Sequence, residues 1–424
     1  MIGFVGLSHL GLNYSLATAA KGFDVLGYDP DGALAARCSA GKFPIEEPGF
    51  SELFAQHRAR IIYTSDQAAL AKCDLVFYSL DVSTNAENES DLGPLTELIH
   101  ATAPHLSQGT TAVVLSQVPP GYMRQLRTEL REHSPADFFY QVETLIFGRA
   151  VERAMRPERF IVGADNPADP LPAVFQEWHK AFDCPVLVMR LESAELAKLA
   201  INFFLVSTVT TANTLAEVCE TIGADWNEIV PALRLDQRIG PHAYLKPGLG
   251  IAGGNLERDL VTMQSIATRT GTEAGIISAW KTNSRHRRDW ALRQAHALVL
   301  SQGEPAEKIF ALWGLAYKQD THSVKNSPAV FLAAALAPFR KIAYDPQVKS
   351  LNQPISNLSI ASSALEACRG ADALIVMTPW QEFSTIAPAA IRQEMRGNVL
   401  IDPFGVLDRR ACQDAGFSYH ALGS

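Results

Sequence analysis

Short apolar runs alternate with helix-like segments from the start of the chain to about residue 190, and this alternation restricts the fold more than any other feature. Strands that are connected through a helix pair in parallel, because a tight turn can join only antiparallel neighbours. The pattern therefore predicts a doubly wound, largely parallel α/β sheet. The predicted strands are Ile2–Gly6, Asp24–Tyr28, Leu75–Leu80, Ala112–Gln117, Phe139–Val142, Phe160–Val162 and Val186–Met189, and the predicted helices include Leu10–Lys21 and Gly121–His133.

The segment from Glu192 to Gly223 contains no turn signal, and its apolar residues recur at helical spacing. A helix of this length would extend roughly 48 Å, which is too long to lie inside a small domain. We therefore predict a long connecting helix, followed by further helices up to about Leu300. Apolar residues around much of its circumference need partners on more than one side, which predicts a homodimer.

The alternation of strands and helices resumes after Gly303 and predicts a second α/β domain. Its predicted strands are Lys308–Leu315, Lys341–Tyr344, Ala373–Met377 and Val399–Asp402, and its predicted helices are Ala329–Ala335 and Ser363–Arg369. The expected fold class is α/β, with two Rossmann-like doubly wound domains joined by a long helix and a helical central domain. The expected domains cover residues 1–190, 191–300 and 301–424.

Charge and cysteine content exclude several classes of partner. The 37 Lys and Arg residues against 45 Asp and Glu residues give a formal net charge of −8, without a basic run, which argues against nucleic-acid binding and against an anionic membrane surface. Charges and glycines are expected to interrupt every apolar stretch, so no membrane span is predicted. The six cysteines are scattered without CxxC spacing, which is typical of reduced thiols in a cytoplasmic protein and predicts neither disulfides nor a metal site. Because a strand is predicted to begin at Ile2, we expect no cleavable leader in this sequence.

The first predicted strand leads into a turn and a helix in the segment IGFVGLSHLGLNYSL. The residues of this turn are Gly6, Ser8, His9, Leu10 and Gly11. In a GxGxxG turn, the first glycine permits the bend, the last lets the helix pack closely, and a dinucleotide pyrophosphate lies at the helix N-terminus. Asp29 ends the next predicted strand, where an acid accepts a hydrogen bond from a ribose hydroxyl. The pattern predicts NAD rather than NADP, because this acid would repel a 2′-phosphate.

Ser8 stands where the motif has its second glycine. Its side chain occupies the space through which the backbone normally approaches the phosphates. The hydroxyl could instead hydrogen-bond a phosphate oxygen, so two interpretations stay open: a cofactor site with altered contacts, or a Rossmann-like domain that has lost its cofactor.

Three longer segments carry a more specific pattern: ESAELAKLAINFFL, LDQRIGPHAYLKPGLGIAGGNLERDL and GLAYKQDTHSVKNSPAV. Together with IEEPGF, SQVPPG, VETLIFGRAV, TPWQEF and LIDPFGVLDRR, they resemble the UDP-glucose/GDP-mannose dehydrogenase family in order and spacing, from Met1 to about Gly423. The resemblance implies an NAD domain, a helical dimerisation centre and a C-terminal domain that binds a nucleotide sugar. Enzymes of this family oxidise a primary alcohol of the sugar to a carboxylate with two NAD and no metal, through a thiohemiacetal and a thioester on a cysteine.

The family signature around that cysteine reads GFGGSCFPKD, and the matching stretch of this chain is GIAGGNLERD. Asn255 stands at the position of the cysteine, and an amide is not a nucleophile under these conditions, so no thioester can form there. Gln117 replaces a threonine of STVPPG, and Phe147 replaces the second glutamate of PEFLREG. The segment Val324–Ser327 replaces IRES, and Lys325 keeps its positive charge. These departures concern the acylation and hydrolysis steps most.

The resemblance implies catalytic roles for Glu143, Lys198, Asn202, Asn255 and Asp259. Lys198 and Asn202 are four residues apart in the long predicted helix, so their side chains share a face. An alcohol must lose a proton as its hydride leaves, and a Lys/Asp pair linked through water suits that task. Glu143 follows a predicted strand, at the edge where α/β sites collect, and is expected to act as a base or to orient water. A solvated lysine, a buried structural amide and a surface acid are the structural alternatives.

The resemblance also implies contacts to the substrate and to the cofactor elsewhere in the chain. The implied substrate residues are Arg238, Lys246, Gly250, Gly253, Gly254 and Lys318, and the implied cofactor residues outside the turn are Ser116 and Lys325. Backbone N–H groups of a glycine-rich loop can reach phosphate oxygens, and cations balance their charge. A flexible loop with incidental charges is the alternative.

Three functions remain compatible with these residues. The first is an NAD-dependent dehydrogenase that stops after a single hydride transfer from a nucleotide-sugar-like alcohol to NAD, which gives an aldehyde or a ketone. The second is an inactive protein that still binds NAD or a nucleotide sugar. The third is an epimerase or lyase that oxidises its substrate transiently with tightly bound NAD.

Overall fold

The computed structural model describes residues 1–85, 87–301 and 308–424. The chain forms two compact units, Met1–Ile201 and Asn202–Ser424, and each contains a sheet flanked by helices. The expected α/β class with two Rossmann-like sheets is confirmed. The division into three domains stays a prediction.

The first unit is built on an eight-stranded sheet. Its strands are β1 (Ile2–Val5), β2 (Val25–Tyr28), β3 (Ile61–Thr64), β4 (Leu75–Tyr78), β5 (Thr111–Val114), β6 (Asp137–Gln141), β7 (Phe160–Ala164) and β8 (Val186–Arg190). They lie in the order β3-β2-β1-β4-β5-β6-β7-β8, and the pairings are parallel except that of β6 with β7. The strand order reverses between β1 and β4, and ligands of doubly wound sheets bind at the carboxyl ends of the strands beside such a reversal.

Helices cover both faces of this sheet, which explains why β1, β2, β4 and β5 are buried along their whole length. The helices of the first unit are α1 (His9–Ala20), α2 (Gly32–Ser39), α3 (Phe50–His57), α4 (Gly93–Thr102), α5 (Tyr122–Leu130), α6 (Ala150–Met155) and α7 (Ala173–Lys180). On one face, Phe77 of β4 packs between Phe4 and the indole of Trp178, at ring-centre distances of 5.1 and 4.7 Å.

A single long helix, α8 (Leu191–Ile222), follows β8 and agrees closely with the predicted connecting helix. By length and composition alone, α8 is long and apolar enough to cross a membrane, and 28% of its most apolar 18-residue stretch is buried. The expectation that charges interrupt every apolar stretch was wrong here, because no charged residue lies between Lys198 and Glu217. The core helix of a soluble protein can be equally long and apolar, and the uncharged stretch of α8 contains the polar residues Thr210 and Asn213. The absence of a membrane partner therefore stays a prediction.

The second unit contains a helical part followed by a six-stranded parallel sheet. Its helices are α9 (Trp226–Leu235), α10 (Asn255–Thr270), α11 (Gly275–Arg288), α12 (Trp290–Ala295), α13 (Pro328–Ala335), α14 (Ala364–Cys368), α15 (Pro388–Glu394) and α16 (Arg409–Asp414). Its strands are β9 (Ile309–Trp313), β10 (Arg340–Tyr344), β11 (Leu358–Ile360), β12 (Ala373–Val376), β13 (Val399–Ile401) and β14 (Ser418–His420). They lie in the order β11-β10-β9-β12-β13-β14, the Rossmann order counted from β9.

Candidate functional site

The turn between β1 and α1 requires glycine at two of its positions. Gly6 has φ +98°, and a Cβ atom there would lie 3.0 Å from the backbone nitrogen of Leu80. A Cβ atom on Gly11 would lie only 2.0 Å from the carbonyl oxygen of Gly6, so any side chain would push α1 away from β1. Both glycines therefore have the roles expected in a dinucleotide-binding turn.

Asp29 follows β2 and lies beside this turn. Its carboxylate is buried and accepts hydrogen bonds from the backbone nitrogens of Leu7, at 2.9 Å, and Asp31, at 3.0 Å. A carboxylate has about four acceptor positions, so acceptor capacity is left for a ribose hydroxyl. The tight turn and the positioned acid together fit NAD.

The acid at the corresponding position of the second unit differs in its burial and in its hydrogen bonds. Asp345 follows β10, as Asp29 follows β2, but it is fully buried. Its two oxygens accept five N–H groups, those of the backbone at Leu315, Ala316, Gln347 and Val348 and that of the Trp380 indole, at 2.7–3.1 Å. Asp345 therefore ties the second sheet together and has no remaining capacity for a ribose.

The Ser8 hydroxyl makes two hydrogen bonds within the first unit. The hydroxyl donates to the carbonyl oxygen of Ser79, at 2.8 Å, and accepts from the backbone nitrogen of Asp81, at 3.0 Å. The Asp81 carboxylate in turn accepts from the backbone nitrogen of His9, the first residue of α1, at 2.9 Å. The Ser8 side chain thus connects the turn to the loop after β4, a contact that the sequence did not indicate.

His9 and Leu10 complete the turn, and His9 is held by an acid that sequence reasoning missed. The Nε2 atom of His9 lies 2.8 Å from Oε1 of Glu47, whose side chain is 1% exposed. The same carboxylate accepts from the backbone nitrogens of Gly148, at 3.0 Å, and Ala150, at 3.1 Å. Leu10 is buried in the sheet-facing side of α1. The only sequence signal for Glu47 was its place in the segment IEEPGF.

Phe147 stands beside the same histidine. Its ring centre lies 4.2 Å from that of His9, although the residue is 44% exposed.

Ser116, which follows β5, is fully buried, and its hydroxyl donates to the carbonyl oxygen of Leu80 at 2.6 Å. Ser116 therefore fixes the loop next to the turn; a contact to the cofactor stays a prediction.

Glu143 and Lys198 form an ion pair in the first unit. The Lys198 ammonium donates to Oε1 of Glu143 at 2.7 Å and to the carbonyl oxygen of the same residue at 3.0 Å. The second carboxylate oxygen accepts from the backbone nitrogen of Leu145 at 2.9 Å. Both side chains are mostly shielded, with exposed fractions of 17% and 14%. Glu143 therefore holds the ammonium group in one orientation, which a solvated surface lysine would lack.

Asn202 and Asp259 form a second pair, in the other unit. The Asn202 amide donates to Oδ2 of Asp259, while Nε of Arg258 lies 3.3 Å from Oδ1. The side chains of Arg258 and Asp259 are 6% and 2% exposed. A buried carboxylate that is oriented by an amide and balanced by a cation can hold or accept a proton at a defined atom.

Asn255 is the first residue of α10, and its side chain is exposed. All six cysteines of the chain are free thiols. Burial raises the pKa of Cys38 to about 11 and that of Cys73, Cys368 and Cys412 to about 12. A nucleophilic cysteine needs a lowered pKa, so none of these four thiols is activated to replace the missing one.

The glycine-rich loop before α10 is ordered by packing. A Cβ atom on Gly250, at φ +80°, would lie 2.3 Å from the carbonyl oxygen of Ser284, and one on Gly253, at φ +84°, would lie 2.7 Å from the Tyr317 ring. Gly254 precedes the first residue of α10. The glycines at 250 and 253 are therefore explained by close packing, and their contact to a diphosphate stays a prediction.

The predicted cations of the substrate site have different surroundings. Arg238 is 89% exposed and pairs with Asp236 at 2.7 Å, and Lys246 is exposed as well. The Lys318 ammonium lies 5.8 Å from the centre of the Tyr317 ring. The carbonyl oxygen of Lys325 accepts from the backbone nitrogen of Gly253 at 3.1 Å, so its segment lies against the glycine-rich loop.

Asn326 and Glu257 are two further residues of this region that sequence reasoning missed. The Asn326 amide donates to the carbonyl oxygen of Gly253 at 2.8 Å and to the Glu257 carboxylate. Burial raises the pKa of Glu257, and the bond from Asn326 partly opposes this. Glu257 stands where the family signature has proline, so the chain adds an acid to the first turn of α10.

Both units of the chain match domain models of one known protein family. Three domain models of the UDP-glucose/GDP-mannose dehydrogenase family match the chain: the NAD binding domain over residues 1–183, the central domain over 192–285 and the UDP binding domain over 311–409. UDP-glucose 6-dehydrogenases of Rhizobium meliloti and Rickettsia bellii are each 28% identical, over 100% of this chain and 99% of their own.

Solved structures give the same result for the fold. A UDP-glucose dehydrogenase from Pyrobaculum islandicum is 25% identical and superposes with a TM-score of 0.84, over 99% of this chain and 96% of its own. A UDP-D-ManNAc dehydrogenase from Pyrococcus horikoshii superposes with a TM-score of 0.85 at 22% identity, over 100% and 99% of the two chains. The first unit contains the family's NAD binding domain, and its turn and Asp29 agree with NAD as the cofactor. With all three domain models matched in order, the chain belongs to the UDP-glucose/GDP-mannose dehydrogenase family.

Proposed function

We propose that this protein is a cytoplasmic, NAD-dependent dehydrogenase that oxidises an alcohol of a nucleotide-sugar-like substrate by a single hydride transfer. The product is an aldehyde or a ketone. The observation that carries the proposal is the Lys198–Glu143 ion pair, at 2.7 Å, in a chain that has Asn255 at the position of the nucleophile. The ion pair supplies a group that hydride transfer needs, whereas the amide cannot supply the nucleophile that acylation needs.

The reaction removes a hydride from carbon and a proton from oxygen, so that the C–O single bond becomes a double bond. NAD, when bound, supplies the nicotinamide that accepts the hydride. The Lys198 ammonium stabilises the negative charge that develops on the oxygen, and Glu143 keeps it in place. Asp259, oriented by Asn202, accepts the proton through a water molecule.

Asn255 determines where the reaction ends. Its amide is exposed at the N-terminus of α10 and can donate to the carbonyl oxygen of the product without attacking the carbon. Without a covalent intermediate at this position, the second oxidation has no thiohemiacetal from which to start. The aldehyde or ketone is therefore released.

Product analysis tests this proposal. The purified protein is incubated with NAD and a panel of UDP- and GDP-sugars; NADH is measured by absorbance, and products are trapped with hydroxylamine and weighed by mass spectrometry. We expect one NADH for each oxime-forming product. Lys198→Met serves as the control and should reduce NADH formation by about 10²–10⁴-fold, the usual contribution of a positioned acid–base group. A carboxylate product with two NADH would refute the role of Asn255.

Two other outcomes correspond to the alternative functions. Binding of NAD without NADH formation from any sugar of the panel would favour an inactive binding protein. NAD that copurifies with the protein, together with isomerised or cleaved sugar and no net NADH, would favour an epimerase or lyase.

Asn255→Cys is expected to leave the product unchanged. The new thiol could add to an aldehyde, but Gln117 and Phe147 stand where the family has a threonine and a glutamate near the thioester and its water. We therefore expect no carboxylate from this variant. Its formation would show that Asn255 alone blocks the second oxidation.

We also propose a homodimer that forms through α8. Its exposed apolar residues share one stripe at helical spacing, with exposed fractions of 43–77% for Leu196, Phe204, Leu215, Val218 and Ile222. A stripe of this kind on a soluble protein is typical of an interface. Light scattering after size exclusion should give a dimer, and Phe204→Glu should shift it towards monomer, while Thr268→Glu on the exposed side of α10 should not. A monomeric parent protein would refute the dimer.

A further inference from the structure

Asp81 places a carboxylate at the N-terminus of α1. Its Oδ2 atom accepts from the backbone nitrogen of His9 at 2.9 Å, and its own backbone nitrogen donates to the Ser8 hydroxyl at 3.0 Å. The Ser8 hydroxyl also donates to the carbonyl oxygen of Ser79, at 2.8 Å. Side chains on both sides therefore fasten the loop after β4 to the cofactor turn.

The N-terminus of a helix attracts anions, because its first N–H groups are unpaired and the helix dipole is positive there. In a dinucleotide-binding turn, the anion at this position is the pyrophosphate. Here Asp81 already satisfies one of these N–H groups with a negative charge. A pyrophosphate that approached α1 would meet an internal anion.

The surroundings of Asp81 make its charge unfavourable. Protein atoms around the carboxylate raise its pKa by desolvation, although Asp81 is an exposed residue. Three influences oppose this increase in pKa, namely the charge of the His9 ring, the bond with Ser8 and the bond from the backbone nitrogen of His9, whereas the negative charge of Glu143 adds to it. The Lys198 ammonium is already engaged by Glu143, and the His9 ring by Glu47.

We propose that Asp81 competes with the pyrophosphate of NAD for the N-terminus of α1, so that cofactor binding requires this carboxylate to gain a proton or to turn away. This inference rests on the binding of NAD by the first unit. It predicts that NAD binds more tightly as the pH falls, because the neutral acid no longer repels the phosphates. Asp81 is thereby a residue that sets cofactor affinity and makes it depend on pH.

Calorimetric titration with NAD between pH 5.5 and 8.5 tests the proposal on the full-length protein. Asp81→Asn keeps an oxygen that can accept from the His9 nitrogen but removes the charge. At pH 8 we expect this variant to bind NAD about tenfold more tightly than the parent, the effect expected for one screened charge a few ångströms from a phosphate. The two affinities should converge as the pH falls.

A matched control and a second variant make the result specific. Asp91→Asn removes one charge from an exposed position of the same loop and should not change the affinity. The His9 ring, with its partner Glu47, also lies at this end of α1, so His9→Gln should keep the part of the pH dependence that belongs to Asp81. Circular dichroism and thermal melting confirm that each variant is folded.

The outcomes separate this inference from the proposed function. Equal or weaker binding by Asp81→Asn at pH 8, or the same pH dependence as in the parent, overturns the role of Asp81 and leaves the dehydrogenase proposal intact. If neither the parent nor any variant binds NAD at any pH, both proposals fail. Ser8→Gly provides an independent test: it removes the hydroxyl that fastens Asp81 and should also strengthen binding at pH 8, by a smaller factor.

Discussion

Replacing Glu47 with glutamine tests how the cofactor turn is held against the loop that carries Glu143. The Glu47 carboxylate is shielded from solvent and joins three partners that are distant in sequence: His9 Nε2 and the backbone nitrogens of Gly148 and Ala150. His9 belongs to the turn, whereas the two backbone nitrogens belong to the segment that follows Glu143. One carboxylate therefore fixes the cofactor turn and a proposed catalytic residue in a common framework.

The loss of stability expected for Glu47→Gln follows from the hydrogen bonds of the Glu47 carboxylate. In the better orientation, the glutamine oxygen takes the place of Oε1 and keeps His9 and Gly148 as partners. The amide nitrogen then faces the N–H group of Ala150, so one charge-assisted bond, worth about 1.5–3 kcal/mol, is lost and two donors face each other. We expect the free energy of unfolding to fall by about 3 kcal/mol, since the relief from burying a charge offsets part of the loss.

Differential scanning calorimetry measures this change. For a unit of this size, about 3 kcal/mol corresponds to a decrease in Tm of about 6–12 °C. The neighbouring Glu46 is exposed, so Glu46→Gln is the matched control and should melt within about 1 °C of the parent. The affinity for NAD should also fall in Glu47→Gln, because His9 loses its charged partner. A Glu47→Gln protein that melts with the parent and binds NAD equally well would refute the reasoning.

Three further predictions concern other groups of the chain. Glu195 is fully buried and accepts from the backbone nitrogens of Gly121 and Met123, and desolvation raises its pKa to about 7, so between about pH 4.5 and 7 the folded protein retains a proton that the unfolded chain has lost. The free energy of unfolding should therefore fall by up to ~3 kcal/mol as the pH rises from about 4.5 to 7. Calorimetry over this pH range should show a smaller decrease for Glu195→Gln. Asp29→Ala should weaken NAD binding more than NADP binding, as measured by titration calorimetry, and an equal loss would show that Asp29 does not contact the ribose. Glu143→Gln should lower the rate of NADH formation and leave the affinity for NAD within about threefold, because it weakens the hold on Lys198 without touching the turn; a large loss of affinity with an unchanged rate would contradict its proposed role.

The fold could be predicted from the sequence wherever strands are buried on both faces. Strands such as β1 and β4 consist of continuous apolar residues because helices cover both of their sides. The three strands that the prediction missed, β3, β11 and β14, are all edge strands of their sheets, and several of their residues are partly or fully exposed. An edge strand has one neighbour and less burial, so its sequence shows a weaker apolar pattern.

The sequence predicts only those parts of the candidate site whose residues belong to one short motif. Gly6, Gly11 and Asp29 belong to one short motif whose spacing is fixed by local geometry. Contacts between distant segments leave no such spacing, and Glu47 and Asp81 act through partners that the fold, not the sequence order, brings together. The resemblance to the family identified the residues at positions 143 and 198, but only the structure gave the ion pair between them.

The position of Asn255 explains what the substitution removes and what it leaves. The first turn of a helix lowers the pKa of a thiol, because the helix dipole stabilises the thiolate, so the start of α10 is a favourable place for a nucleophilic cysteine. An amide gains nothing from that field as a nucleophile, but its N–H groups can still donate a hydrogen bond to an oxygen. Glu257, two residues further along the same helix, stands where the signature has proline, and its carboxylate accepts from the Asn326 amide. The substitution at position 255 therefore removes the group that forms the covalent intermediate, while the groups proposed to hold the oxygen and the proton, Lys198 and Asp259, keep their oriented partners.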